Sequence, residues 1–341
     1  MVVTSAVSIR LLASRTLNQL RCWISYALSL FGVVRVRHLP TFVSVEPANF
    51  CQLRCPECPV GIASSPNRLS PNRLMPLSIF ERVLEQVQAT AHTMQFYFQG
   101  EPLLNKQLPE MIAMAQKVGL YTIVSTNAQA LNRSMAEALV KSGLNRIIVS
   151  IDGFSEESYA AYRVGGYLHK ALEGLQHLAD AKAQFHSRIR IELQVLRLKS
   201  NEHEWAWIKK NYKKLGATHL VFKTAQLYNF EHGHPLMPTN ERYSRYRKTA
   251  DGSYVHKNHS PLALSPYRLI ASHPCLRLWS GCVITTSGDI LPCCYDKDHR
   301  HALGNITTQS LSDIFHSKKA NALRRCILKG HLPEMCKNCN H

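Results

Sequence analysis

From residue 42 the chain alternates short apolar runs with longer amphipathic stretches. FVSVE (42–46), MQFYF (94–98), YTIVST (121–126), RIIVSID (146–152), IRIELQVL (189–196) and THLVFK (218–223) have the apolar, β-branched and aromatic make-up of strands. Between them the period changes to that of helices. FERVLEQV follows Ser78 and Glu81, a capping-box pair. LPEMIAMAQKVG (108–119) ends at Gly119, and a stretch capped by Ser134 and Glu137 stops at Gly143. Residues 167–185 predict a long helix, and Asn201 with Glu204 opens another that ends near Gly216. Six strands with helices between them predict a parallel sheet with right-handed crossovers. Six units fall short of a closed eight-unit barrel, so the expected fold class is α/β, a partial (β/α)6 TIM-like barrel over residues 41–225.

Both flanks of this alternation read differently. Residues 1–40 contain five Arg and no acid, and residues 22–34 form an uncharged 13-residue run after Arg10, Arg15 and Arg21. That run is too short to span a bilayer, and no small-residue cleavage site follows it. Two readings stay open: a basic amphipathic helix in weak contact with a membrane surface, or a helix packed on the outside of the main domain. Residues 226–272 are rich in His, Pro, Tyr and Arg with little periodicity, so they read as an irregular connector or a substrate-covering loop. His232 and His234 are a weak metal-ligand pair.

Composition narrows the partners. Forty-one basic against 23 acidic side chains give +18, spread along the chain. Such an excess is a solvated surface or a match for an anionic partner such as an acidic peptide. No nucleic-acid motif accompanies it, so no nucleic-acid partner is expected. Eleven cysteines in a chain of 341 residues without a signal peptide point to a reducing cytoplasm and to metal or catalytic thiols, not disulfides.

Three of those cysteines, Cys51, Cys55 and Cys58, stand at C-x3-C-x2-C spacing in the loop after the first strand. Zinc sites and ferredoxin clusters use four protein ligands. No cysteine follows Cys58 until Cys275, so three thiolates here leave one cluster iron for an outside ligand. Polar residues gather at the ends of the following strands: Gln99, Gly100 and Glu101, then Ser125, Thr126 and Asn127, then Ser150, Asp152 and Gly153, with Gln194 late on the fifth.

The chain resembles radical S-adenosylmethionine (SAM) enzymes over nearly everything from residue 42. Cys51, Cys55 and Cys58 resemble the family signature, in which a 4Fe–4S cluster has its fourth iron chelated by SAM. QGEP (99–102) resembles the Gly-Gly-Glu segment that holds the SAM amino group, with Gln99 replacing the first glycine. STN (125–127) and SIDG (150–153) resemble segments that touch the ribose and carboxylate, and Arg163 resembles an arginine that pairs with the carboxylate. The resemblance thus implies SAM contacts from Gly100, Glu101, Thr126, Asn127, Ser150, Asp152, Arg163 and Gln194. Glu57 stands where many members carry an aromatic residue, which leaves the adenine contacts unassigned.

Seven further cysteines lie in residues 273–341. By residue type alone, four of them suit a zinc ribbon closed by Cys336-x2-Cys339. Cys275, followed by twelve residues, Gly288, four residues and Cys293, resembles the opening of the SPASM/twitch extension, which carries auxiliary iron–sulfur clusters. The resemblance implies a second 4Fe–4S cluster on Cys275, Cys293, Cys336 and Cys339, with Cys294 able to replace Cys293. Cys282 and Cys326 are expected to be buried small hydrophobes. The implied activity is reductive cleavage of SAM and hydrogen-atom abstraction from a peptide, protein or small molecule, with a flavodoxin or ferredoxin as reductant. The rival reading is a non-catalytic iron–sulfur or zinc scaffold attached to a membrane surface.

Overall fold

The computed structural model describes residues 9–62, 73–257, 275–336 and 339. In chain order the elements begin with α1 (Ile9–Leu30), β1 (Phe42–Val45), α2 (Leu77–Val87), β2 (Thr93–Phe96), α3 (Leu108–Lys117) and β3 (Tyr121–Thr126). There follow α4 (Arg133–Lys141), β4 (Arg146–Ser150), α5 (Glu156–Ala160), α6 (Leu168–Gln184), β5 (Arg190–Arg197), α7 (Trp205–Asn211) and β6 (His219–Thr224). A short antiparallel pair, β7 (Tyr246–Lys248) and β8 (Tyr254–His256), comes next. The C-terminal region holds α8 (Leu276–Ser280), β9 (Gly281–Ile284), β10 (Asp289–Leu291), β11 (Gly304–Asn305), α9 (Leu311–Phe315) and α10 (Lys318–Leu328). The fold is α/β, and all six expected strands form.

The chain divides into two compact units, and the division cuts across the strand–helix repeat. The first comprises residues 1–50, 66–123 and 265–339. Its strands run in the order β11-β10-β9-β1-β2. β1 pairs in parallel with β2, Val43 opposite Met94, and on its other edge in parallel with β9, Val43 opposite Cys282. The C-terminal region therefore continues the first unit's sheet. Val43, Val45, Met94, Phe96 and Phe80 are fully buried in it. The second unit comprises residues 51–65 and 124–264 with the last two residues. Its strands β4, β5 and β6 are parallel, with Ser150 opposite Gln194. Ile147, Val149, Ile191, Leu193 and Val195 are fully buried there.

Three helix starts differ from the expected ones. α2 begins at Leu77 behind Pro76, which has no capping side chain, so Ser78 lies inside the first turn; proline's fixed φ already suits the extended residue before a helix. α4 is capped by the Asn132 side chain accepting from Met135 N, two residues before Ser134. Asn201 is fully buried and spends its amide on Asp152 O and Leu196 O, both at 2.8 Å, so the helix after it starts only at Trp205. The described part of residues 226–272 is not wholly irregular, since it carries the β7–β8 hairpin. The rest of that segment lies outside the described residues.

Candidate functional site

In the second unit, the cysteine loop is a tight turn closed by Cys58 N–H on Cys55 O (3.1 Å) and Gly61 N–H on Cys58 O (2.9 Å). A Cβ on Gly61 would stand 2.5 Å from Cys55 O, so only glycine lets the loop close. Cys55 is buried, while Cys51 and Cys58 are half-buried, and none of the three is in a disulfide. Donors face the sulfurs. Asn127 Nδ2 donates to Cys51 Sγ at 3.3 Å and Leu53 N at 3.4 Å. Arg163 Nη1 lies 4.0 Å from Cys55 Sγ. Burial pushes the Cys55 thiol up, and the Arg163 charge opposes this.

Asn127 is set by the turn that ends β3. Thr126 Oγ1 accepts from Ala128 N (2.9 Å), and Asn127 Oδ1 accepts from Gln129 N (3.0 Å) and from Gln52 Nε2 (3.2 Å). Ala128 holds φ +62°, an uncommon conformation for alanine, at a fully enclosed position. Gln194 Nε2 reaches Ser150 Oγ at 3.5 Å across the β4–β5 pair.

Asp152 and Arg163 are not two separate contacts. Asp152 has no exposed surface. Its Oδ2 accepts from Arg163 Nε and Nη2, at 2.7 and 2.6 Å, and its Oδ1 accepts from Leu196 N at 2.6 Å. The fork therefore spends two nitrogens on Asp152 and turns the third toward Cys55. Asp152 acts here by holding Arg163, a role the sequence reading missed. Neither its position in SIDG nor that of Arg163 in AYRVGG shows that the two side chains meet.

Glu57 was missed as well. Its Oε1 lies 3.1 Å from His234 Nε2, and its Oε2 accepts from Tyr228 N at 2.8 Å. His234 Nδ1 accepts from Leu236 N, so the ring proton belongs on Nε2, facing the carboxylate. The residue beside the third cysteine thus ties residues 228–236 to the cysteine loop.

In the first unit, a Cβ on Gly100 would lie 2.1 Å from Ala48 O, which makes glycine obligatory. Glu101 is 3% exposed; its N–H donates to Phe50 O and its Oε1 accepts from Leu103 N at 3.2 Å. Gln99 Nε2 donates to Lys297 O at 2.7 Å. Glu46, at the end of β1, is fully buried, and neither carboxylate oxygen has a hydrogen-bond partner of normal geometry. Burial raises its carboxyl to about 8, against the opposing pull of the Thr286 and Gln99 backbone and the Lys297 charge.

The C-terminal cysteines belong to the same unit. Cys275 immediately precedes α8 without a capping side-chain bond, and Cys275 and Cys336 both pack against the Leu278–Trp279–Ile327–Leu328 cluster. Burial, then the neighbouring Cys275, Cys339 and Cys326, push the Cys336 thiol up to about 12. Cys339 N–H donates to Cys336 O (3.1 Å). Arg277 Nη1 donates to Cys294 Sγ at 3.6 Å. Cys293 donates to Cys294, which draws the Cys294 thiol down while the Cys293 thiol goes up. A cavity of about 30 Å³, lined by Ser44, Gln95, Arg277, Cys293 and Cys294 among others, opens beside this pair. Cys282 is buried on β9 as expected. Cys326 is only half-buried, because its Sγ turns to His331 O at 3.2 Å.

Among the described residues no three His, Cys, Asp or Glu converge closely enough to hold one metal ion. A four-iron cluster gives each thiolate its own iron, so its cysteines stand farther apart than the ligands of a single ion. Three cysteines outside any disulfide on a glycine-tightened turn, with N–H and guanidinium donors toward the sulfurs, fit such a cluster.

Two family models match: the Radical SAM superfamily over residues 45–189 and the iron–sulfur cluster-binding SPASM domain over residues 275–340. The chain thus carries a radical SAM domain and a C-terminal SPASM domain. It is accordingly a radical SAM enzyme whose cofactors are a 4Fe–4S cluster, SAM and additional iron–sulfur. The "PqqA peptide cyclase" of Rhizobium meliloti (strain 1021) is 26% identical over 314 residues, covering 88% of this chain and 79% of that protein. Among solved structures, Streptococcus suis SuiB bound to precursor peptide SuiA superposes with a TM-score of 0.60 at 14% identity, over 92% of this chain and 73% of that one. Native anSMEcpe with bound AdoMet gives a TM-score of 0.59 at 18% identity, over 88% and 86%. These two likenesses concern the fold.

Proposed function

We propose that this enzyme modifies a peptide, with Cys51, Cys55 and Cys58 holding the catalytic cluster and Cys275, Cys293, Cys336 and Cys339 an auxiliary one. When bound, the cluster and SAM would supply one-electron chemistry for hydrogen-atom abstraction from the substrate. The chain's own part is to bind and orient. Asn127 and Leu53 N–H neutralise charge on Cys51, and Arg163, fixed by Asp152, does so beside Cys55, its remaining N–H groups being donors for the SAM carboxylate. Glu101 takes the SAM ammonium, and Gly100 allows the backbone approach. Thr126, Ser150 and Gln194 complete the SAM contacts.

The observation that carries the cofactor assignment is the Arg163 fork, anchored on a buried carboxylate and directed at a cluster cysteine. The peptide substrate is supported by the PqqA peptide cyclase relative and by the +18 chain, which suits an acidic peptide. Reductant and compartment follow the same reading: eleven cysteines with no disulfide among them suit the cytoplasm, with a flavodoxin or ferredoxin as electron donor. The test is anaerobic reconstitution with dithionite and SAM, following 5′-deoxyadenosine with and without low-molecular-mass cell fractions. A stimulating fraction that loses its effect after protease treatment supports a peptide. Stimulation that survives protease would overturn it in favour of a small molecule.

A further inference from the structure

The helix α1 is amphipathic the wrong way round for a helix packed on a protein. Its inward face is mostly polar: Arg15, Asn18, Ser25 and Ser29 are buried beside Cys22, and Tyr26 packs edge-on against Trp279. Arg15 places its guanidinium on Gln88 O, Val118 O and Gly119 O at 2.6–2.9 Å, closing the C-terminal ends of α2 and α3. Asn18 donates to Leu39 O and Thr90 O and accepts from Leu39 N. Ser25 Oγ meets His38 Nδ1 at 3.1 Å. Side-chain hydrogen bonds therefore lock the helix in one rotation about its axis.

That rotation turns the apolar side chains outward. Leu12, Leu17, Leu20, Trp23, Ile24 and Leu30 are each 40–55% exposed. At 3.6 residues per turn they share one face along a helix about 33 Å long. The polar residue within that face, Thr16, bonds its hydroxyl back to Leu12 O at 2.9 Å. Arg10 and Arg21, three turns apart, line one edge of the stripe, and Arg35 and Arg37 follow the helix; all four are exposed. No acid precedes Glu46. Among the described residues no helix is long and apolar enough to cross a membrane.

We infer that α1 is a membrane-surface anchor: its outward face lies flat in the headgroup region of an anionic lipid bilayer. The apolar stripe, the tryptophan within it and the arginines along its edge are what such an interface takes. A protein partner would explain the leucines but not an acid-free, arginine-edged flank. The inference is independent of the SAM chemistry.

The test is co-sedimentation of the full reconstituted protein with large unilamellar vesicles. One set is phosphatidylcholine alone, and the other is phosphatidylcholine and phosphatidylglycerol in equal parts. The protein is expected to bind the mixed vesicles about tenfold more tightly, with the preference falling as salt rises. The double change Leu20→Glu with Ile24→Glu should weaken binding at least about tenfold, while 5′-deoxyadenosine formation and melting temperature stay unchanged. Arg10→Gln with Arg21→Gln should remove only the preference for phosphatidylglycerol. Equal binding of the parent to both vesicles, or unchanged binding of the Leu20/Ile24 variant, would overturn the inference. So would a concentration-dependent dimer that the same variant abolishes in a parent that binds no vesicles, since a second copy would then cover the stripe.

Discussion

Asp152 has no exposed surface, yet it carries a charge, and the Arg163 fork balances it. Removing one partner of such a pair leaves the other buried and uncompensated, which costs roughly 3–5 kcal/mol. Asp152→Asn should therefore destabilise the second unit by about that much in urea unfolding. Adding Arg163→Met removes both charges and should restore a large part of the stability. It should leave SAM binding weakened by about tenfold or more, the loss of a charge-assisted hydrogen bond. Calorimetry showing parental SAM affinity in the double variant would remove Arg163 from the SAM site. Glu46 makes a second residue-scale prediction. Its carboxyl is raised by burial from 4.5 to about 8. Between those values the folded protein keeps a proton that the unfolded chain has lost, so stability falls as pH rises through that window and levels off above it. Glu46→Gln cannot ionise and should flatten this part of the profile, by at most about 1.4 kcal/mol per pH unit. Equal slopes for parent and variant between pH 5.5 and 8, measured by urea midpoints, would mean that Glu46 is ionised in the fold.

Among the elements, the stretch after β6 shows what a single side chain can tie together. Glu57 receives Tyr228 N–H and faces His234 Nε2, so the cysteine loop and residues 228–236 share one carboxylate. Glu57→Ala should cost roughly 1.5–3 kcal/mol, the worth of hydrogen bonds to a charged group. It should open that stretch to limited proteolysis while the iron content holds. Unchanged cleavage kinetics would show that the β7–β8 hairpin, with Phe230 stacked on Tyr246 at 4.2 Å, fixes the segment without Glu57. The strands were legible because a buried strand must be apolar over four to eight residues, as at 121–126 and β3. Helix starts were less so, since Asn132, Ser134 and Pro76 all carry start signals, and the sequence does not rank them. The Glu57–His234 contact was illegible for another reason. It joins residues 177 positions apart (234 − 57), and nothing in local pattern encodes such a pairing. The inverted polarity of α1 was legible only as amphipathicity; which face turned inward needed Arg15 on the ends of two other helices.

At the scale of the whole molecule, β9 pairing with β1 places the C-terminal cysteines in the unit that begins the sheet, while Cys51, Cys55 and Cys58 belong to the other unit. The two sets should therefore load independently. With one four-iron cluster each, the reconstituted protein should hold about eight irons per chain. A zinc ribbon in the second set would give about four irons and one zinc. Changing Cys51, Cys55 and Cys58 together to Ala should leave about four irons and a visible iron–sulfur absorbance, because no residue of the C-terminal set is touched. Adding Cys336→Ser and Cys339→Ser should remove the remainder, since the two thiolates left from the proposed set cannot hold a four-iron cluster. Cys282→Ser should change neither count, because that side chain is buried on β9 and is not one of the proposed ligands. Cys294→Ser separates the neighbouring thiols. If Cys293 is the ligand, iron stays near eight while the contact with Arg277 is lost; a fall to about four would give the ligand role to Cys294. Stoichiometric zinc with no iron in the triple alanine variant would refute the auxiliary cluster on these cysteines.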